Sequence, residues 1–312
     1  MEPKHWDSLE LRHLVALQAI AEAGSFWAAA DRLDCSTSAL SQQIATLEAA
    51  VGQRLIERSR GRRHVTLTEP GQLLLRHAEA IVARLRAARA DLTAFGEGGA
   101  GSLRIGTYQS VGTKILPGLL RGFAAEWPNV ELRLTEGAND DDLLRQVERG
   151  ELDLTFSVLP LPSGPFEAVE LMRDPYVLAV PADSTVGRSG KVTLKQIGAL
   201  ELVGFKRCRT IAHVEEYLRS HGVEANIVFR SDDNGIIQGM VAAGVGCALV
   251  PALALTENDP AIRVLPLPDM PPRVLALAWH RDRYQSPAAA AFIRRAAHIC
   301  AVLATGARST AA

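Results

Sequence analysis

The stretch from Gly24 to Leu55, GSFWAAADRLDCSTSALSQQIATLEAAVGQRL, admits few arrangements, because it divides into two short amphipathic helices around one tight turn. Ahead of it Leu11, Leu14, Leu17 and Ala21 recur at helical spacing, and Gly24-Ser25 interrupts that period. Ser25 predicts an N-cap for a helix that buries Phe26, Ala29, Ala30 and Leu33. After a turn at Asp34-Cys35, Ser36 caps a third helix, with Ala39, Leu40, Ile44, Leu47 and Val51 turned inward. Ser36 at its start and Thr37, Ser38, Ser41, Gln42 and Thr46 on its other side form a polar, almost uncharged surface. Short hydroxyl and amide side chains match the donors and acceptors of base edges in a major groove, whereas a solvated helix face would carry Lys and Glu. A plain helical hairpin with a Ser/Gln-rich surface would show the same pattern.

The next residues separate the two. After Gly52 comes IERSRGRRHVTLT, in which Arg58, Arg60, Arg62, Arg63 and His64 cluster around Gly61 before the alternating strand Val65-Thr66-Leu67-Thr68. An Arg-rich loop alone is usually a solvated turn. Directly after a helix-turn-helix it predicts a winged hairpin whose basic tip follows phosphates or enters a minor groove.

Residues 9 to 95 resemble the DNA-binding domain and linker helix of LysR-type transcriptional regulators, through AEAGSFWAAADRL, the helix SALSQQIATLE, and GQRLIERSRGRRHVTLTEPGQLLL. The resemblance implies that Ser36, Thr37, Ser38, Ser41, Gln42, Thr46, Arg58, Arg60, Arg62 and Arg63 meet double-stranded promoter or operator DNA. Two residues depart from the family pattern. Trp27 stands where a small or hydroxylated residue is usual, and Gln42 where many members carry Arg; both fall near the expected DNA surface.

The whole chain of 312 residues carries a net charge of -1. Residues 1 to 99 hold 12 Lys and Arg against 12 Asp and Glu, yet residues 54 to 63 hold five Arg against one Glu. DNA affinity must therefore come from a few placed arginines and from pairing two domains. The N-terminus has no apolar core of a signal peptide, and no run is long enough to span a bilayer, so a cytoplasmic protein without membrane contact is expected. Cys35, Cys208, Cys247 and Cys300 lack metal-ligand spacing, and no metal or cofactor is expected. Lys206, Arg207 and Arg209 around Cys208 would lower a thiol pKa. Peroxide-sensing relatives use a pair of cysteines in about this region; here no second cysteine is near.

From near Pro70 to Phe95, Leu74, Ala78, Ile81, Leu85, Ala88, Leu92 and Phe95 alternate by four and three residues, which predicts one long helix with a seam for a partner. Packing on its own domain is the alternative. The stretch FGEGGAGS reads as a joint, and beyond it strands and helices alternate, as in a parallel sheet with crossover helices. The expected domains are thus a winged helix-turn-helix at 1–69, a dimerisation helix at 70–96 and an α/β domain at 101–304, with the tail after Ala304 disordered.

This last part resembles the effector domain of the same family, a type-2 periplasmic-binding-protein fold of two subdomains. Subdomain I spans about 101–175 and 272–304, and subdomain II about 176–271. Ligands of such sheets sit beyond the carboxyl ends of strands, against helix N-termini that favour anions. That position predicts Tyr108, Gln109, Ser110, Val111, Gly137 and Asn139 in one half, and Phe205, Arg207, Cys208, Ser231 and Asp232 in the other, around a small-molecule effector, an organic anion. Lys206, Arg207 and Arg209 are expected to face Ser110 and Gln109. About half of such positions serve as caps and turns, and Asp232 and Asp233 have that alternative. The resemblance further implies a dimer through the linker helix, a tetramer of two dimers, and RNA polymerase as a further partner. A solute receptor or an enzyme on the same cleft is the competing class; the sequence offers no Ser/His/Asp set, metal cluster or phosphate loop for catalysis.

Overall fold

The computed structural model describes residues 6, 9–57, 65–96, 101–188, 190–256 and 258–309. The chain divides into two compact units, residues 1–90 and 91–312. Arg58, Arg60, Arg62, Arg63 and His64, on which the wing-tip expectation rests, lie outside the described residues.

In the first unit α1 (Leu11–Ala23) ends at Gly24, whose φ of 65° is the left-handed value that glycine adopts without strain. The Ser25 hydroxyl accepts the Ala28 N–H at 3.1 Å and starts α2 (Phe26–Arg32). Ser36 does the same for the Ala39 N–H at the head of α3 (Thr37–Val51). Leu17, Ile20, Ala29, Leu40, Ile44 and Leu47 fill the space between the three helices. Ala39 does not join them: it is exposed, because it lies at the edge of the apolar stripe, where a methyl group reaches no neighbour. Strand β1 (Ile56–Glu57) pairs antiparallel with β2 (Thr66–Leu67). A Glu48 carboxylate oxygen accepts the Leu55 and Ile56 N–H groups at 2.8 and 3.2 Å, tying the hairpin root to α3.

Helix α4 (Glu69–Gly96) is about 42 Å long at 1.5 Å per residue. Its seam is divided. Leu74 and Ala78, with Val82, are buried in the core of the first unit, so for them the packing is intrachain. Ile81 and Leu85 are about half exposed and Leu92 is 72% exposed.

The second unit holds two lobes. In the first, β3 (Gly101–Thr107), α5 (Gln109–Lys114), α6 (Leu116–Glu126), β4 (Val130–Glu136), α7 (Asp140–Arg149), β5 (Leu154–Leu159) and β6 (Phe166–Asp174) follow in order. The second lobe is built from β7 (Tyr176–Pro181), α8 (Leu194–Ile197), β8 (Glu201–Phe205), α9 (Arg209–Ser220), β9 (Asn226–Ser231), α10 (Asn234–Ala242), β10 (Ala248–Pro251) and β11 (Ile262–Pro266). The chain then returns to the first lobe with β12 (Arg273–His280) and α11 (Pro287–Ser309). Helix α11 thus runs past Ala304, where disorder was expected.

The sheets are mixed, where a parallel sheet with crossover helices was expected. The first has the order β4-β3-β5-β12-β6, with β3 parallel to β4 and β5 but β12 antiparallel to both neighbours. In the second lobe β10 and β11 flank β7 antiparallel, and the parallel pair β8–β9 joins β10 through a Leu202–Cys247 bridge. The antiparallel neighbours follow from connectivity: a chain that leaves one lobe at Asp174 and re-enters it at Arg273 brings β12 back in the opposite sense. Strands β5 and β7 are buried along nearly all their length, and Phe123, Phe156 and Phe292 are the largest fully buried side chains in the first lobe's core.

Candidate ligand cleft and nucleic-acid interface

The outer face of α3 keeps its polar groups available. Thr37, Ser38, Ser41 and Gln42 are exposed, and Thr37, Ser41 and Gln42 make no side-chain hydrogen bond among the described residues. Ser36 and Ser38 hydroxyls lie 2.9 Å apart. Thr46 differs: its hydroxyl donates to the Gln42 carbonyl at 3.0 Å, so it turns back on its own helix.

Between the lobes of the second unit lies a cavity of about 300 Å³. Its walls hold Tyr108, Gln109, Ser110 and Asn139 from one lobe, and Phe205, Arg207, Cys208 and Asp232 from the other. Three expected residues stand elsewhere. Val111 is fully buried in the first lobe's core. Gly137 has its backbone against Thr107, and a Cβ there would meet the Leu143 side chain at 2.8 Å, so its role is packing. Ser231 is buried and its hydroxyl accepts the Asp233 N–H. Asn139 lines the cavity, but its side-chain amide oxygen accepts the Asp142 N–H and caps α7. Asp233 caps α10, while Asp232 pairs with Lys206 at 2.9 Å.

The floor carries a residue that the sequence expectations omit. Arg273 begins β12 beside the crossover, and its guanidinium donates to the Asp174 carboxylate at 2.7 and 3.0 Å and to the Ser110 hydroxyl oxygen at 3.0 Å. It also lies 5.6 Å from the Tyr108 ring centre. Arg273 and Asp174 side chains are 9% and 1% exposed, so this ion pair bridges both crossovers out of water. Burial raises the Asp174 carboxyl above its ordinary range, against the pull of Arg273. Burial likewise pushes the Tyr176 hydroxyl up to about 12 and raises that of Tyr108, whose oxygen is buried without a partner among the described residues.

Two clasps join the lobes. The Gln109 amide oxygen accepts the Asn234 N–H at 2.6 Å, and its NH2 donates to Asp233 at 3.4 Å. Arg209 donates to Asp140 at 2.5 Å, to Asp141 at 2.8 Å and to the carbonyls of Pro160 and Val158. Arg209 is therefore committed to an interlobe bridge, and Lys206 to Asp232. Arg207 keeps the most capacity: its contact with Glu215 is 3.6 Å, and Arg230 already holds that carboxylate at 2.6 Å. Cys208 occupies the N-cap of α9, where it has no oxygen for the first-turn N–H groups, and Thr210 and Ile211 line the cavity. The expected low thiol pKa is not found. Burial pushes the Cys208 thiol up, against the lowering pull of the Ile211 and Thr210 backbone N–H groups, and the Asp140 and Asp141 carboxylates add to the rise.

Among the described residues no His, Cys, Asp and Glu side chains gather as a metal site, and no helix is long and apolar enough to cross a membrane. The family profile described as "Bacterial regulatory helix-turn-helix protein, lysR family" matches residues 11–72, and "LysR substrate binding domain" matches residues 96–301. The chain is 29% identical over 304 residues to the DNA-binding transcriptional dual regulator OxyR of Escherichia coli, covering 95% of this chain and 99% of that one. It is also 29% identical over 287 residues to the probable HTH-type transcriptional regulator LrrA of Synechococcus elongatus, covering 91% and 95%. Among solved structures it is similar to the LysR family transcriptional regulator CbnR, with a TM-score of 0.65 at 24% identity over 94% of this chain and 99% of that one. Matched families and relatives are transcriptional regulators, not enzymes.

Proposed function

The chain belongs to the LysR family of DNA-binding transcription regulators with an effector-binding domain, and from that premise we propose that a small organic anion in the interlobe cleft controls its binding to promoter DNA. The observation that carries the ligand assignment is the N-terminus of α9, which opens into the cavity with no oxygen cap, only the weakly accepting Cys208 sulfur, beside Arg207. Backbone N–H groups and a guanidinium with spare donors both stabilise negative charge. Ser110 contributes from the opposite lobe: its oxygen accepts from Arg273, which leaves the hydroxyl proton for the ligand. Arg209 takes no part in binding; its bridge sets the lobe closure on which the anion acts.

The exposed Ile81, Leu85 and Leu92 of α4 support a pairing with a second copy of the chain, two such dimers forming a tetramer. Promoter binding in the cytoplasm and a contact with RNA polymerase complete the same proposal. The pairing is checked by Ile81→Asp, which places a charge on the seam; sedimentation of that variant as a monomer is expected, and an intact dimer would show that other surfaces hold the copies together.

A thermal-shift screen of anionic, neutral and cationic metabolites tests the ligand class, with the best hit measured again on Ser110→Ala and Arg207→Ala. A carboxylate or other small anion weakened by both substitutions is the expected result. A neutral or cationic hit, or an anion whose affinity survives both, overturns the cleft chemistry.

A further inference from the structure

Among the described residues of the first unit, the most exposed large apolar side chain lies at the start of its second helix. Trp27, the second residue of α2, is 73% exposed. Its neighbour Phe26 packs against the three-helix core, while Trp27 is absent from that core. Its indole N–H has no acceptor among the described residues. A tryptophan held in water loses the apolar contact that makes the residue worth burying, so a partner surface is the natural complement. Two features say which partner. In a helix-turn-helix the helix before the recognition helix crosses the sugar-phosphate backbone. The Val65 N–H donates to the Gly24 carbonyl at 2.8 Å, which sets the foot of the β2 hairpin beside the start of α2, where Trp27 stands. Exposed Asp31, one turn further along α2, marks where phosphate contact must end.

We propose that Trp27 is a positioning residue for DNA: its ring packs on the deoxyribose edge of the duplex flanking the groove that α3 enters, and its N–H donates to a phosphate oxygen. This rests on α3 being the groove-reading helix. Because the contact is to the backbone, it fixes register without reading sequence. It is also uncharged, so it releases no counterion.

The experiment uses the full chain, a mixed-sequence 30-base-pair duplex at low salt, and the variants Trp27→Ala and Trp27→Phe. The parent must bind this duplex, which keeps failure of the DNA-binding reading separate from failure of the Trp27 assignment. Expected are a loss of roughly fivefold in affinity for Trp27→Ala, a smaller loss for Trp27→Phe, an unchanged slope of affinity against salt, and unchanged thermal unfolding in both. DNA-induced quenching of the parent's tryptophan fluorescence should be markedly smaller in Trp27→Phe, where exposed Trp6 is the other indole of the unit that DNA can reach. Affinity of Trp27→Ala within twofold of the parent, or quenching undiminished in Trp27→Phe, would overturn the proposal.

Discussion

The outer face of α3 and the interlobe cleft are both polar, yet they spend their polar groups differently. On α3, Thr37, Ser41 and Gln42 stand in water with no partner among the described residues. In the cleft, Arg209 reaches across to Asp140 and Asp141, Lys206 holds Asp232, and Arg273 ties Asp174 to Ser110. The contrast has a physical reason. A helix face that meets a polymer in solution keeps its donors hydrated at small cost until the partner replaces water. A partly buried cleft cannot leave charges unpaired, so it pairs them internally and offers a ligand what remains. The face should therefore tolerate substitution without loss of stability, and the cleft should not.

The largest effect is expected at Asp174. Asp174→Ala leaves the Arg273 guanidinium buried without its carboxylate, and an unfolding midpoint in urea should report a loss of about 3–5 kcal/mol. A loss below 1 kcal/mol would place Arg273 in contact with water and remove the contrast. Arg209→Ala is expected to be milder, about 1–3 kcal/mol, because Asp140 still accepts from Ser157 and the Val158 N–H. Its sharper readout is small-angle scattering of the ligand-free protein, in which the lobes should spread; an unchanged scattering curve would show that the Gln109 clasp suffices alone. The smallest effect on stability belongs to Gln42→Ala, within about 0.5 kcal/mol of the parent. Its cost appears instead in discrimination, about 1–3 kcal/mol at one base pair, measured by competition among duplexes differing at single positions.

What could be seen in the sequence follows the same division. The Ser25 and Ser36 caps and the buried Leu40, Ile44 and Leu47 were legible because caps and helical periods act within four residues. Ala39 was misplaced because a helical period gives direction but not whether a neighbour is there. The seam of α4 shows the same limit: the spacing of Leu74, Ala78, Ile81 and Leu85 is regular, but the first two pack in their own chain. In the cleft, Arg207 and Arg209 look alike in FKRCRT, and only a fold that brings Asp140 and Asp141 opposite Arg209 separates them. Arg273 was overlooked although it left a signal, a lone cation heading the apolar run RVLALAWH where the chain crosses between lobes. Strand β6 was hidden because FEAVELMRD lies at the sheet edge and carries charge on its exposed side.

The central claim is that α3 reads DNA with groups the fold itself does not need, and it is tested most directly by a chain with Ser41→Ala and Gln42→Ala combined, measured for urea unfolding and for binding to a panel of upstream duplexes. Unfolding equal to the parent, with binding retained but preference among the duplexes lost, is the predicted result. Preserved preference, or a marked loss of stability, would contradict it.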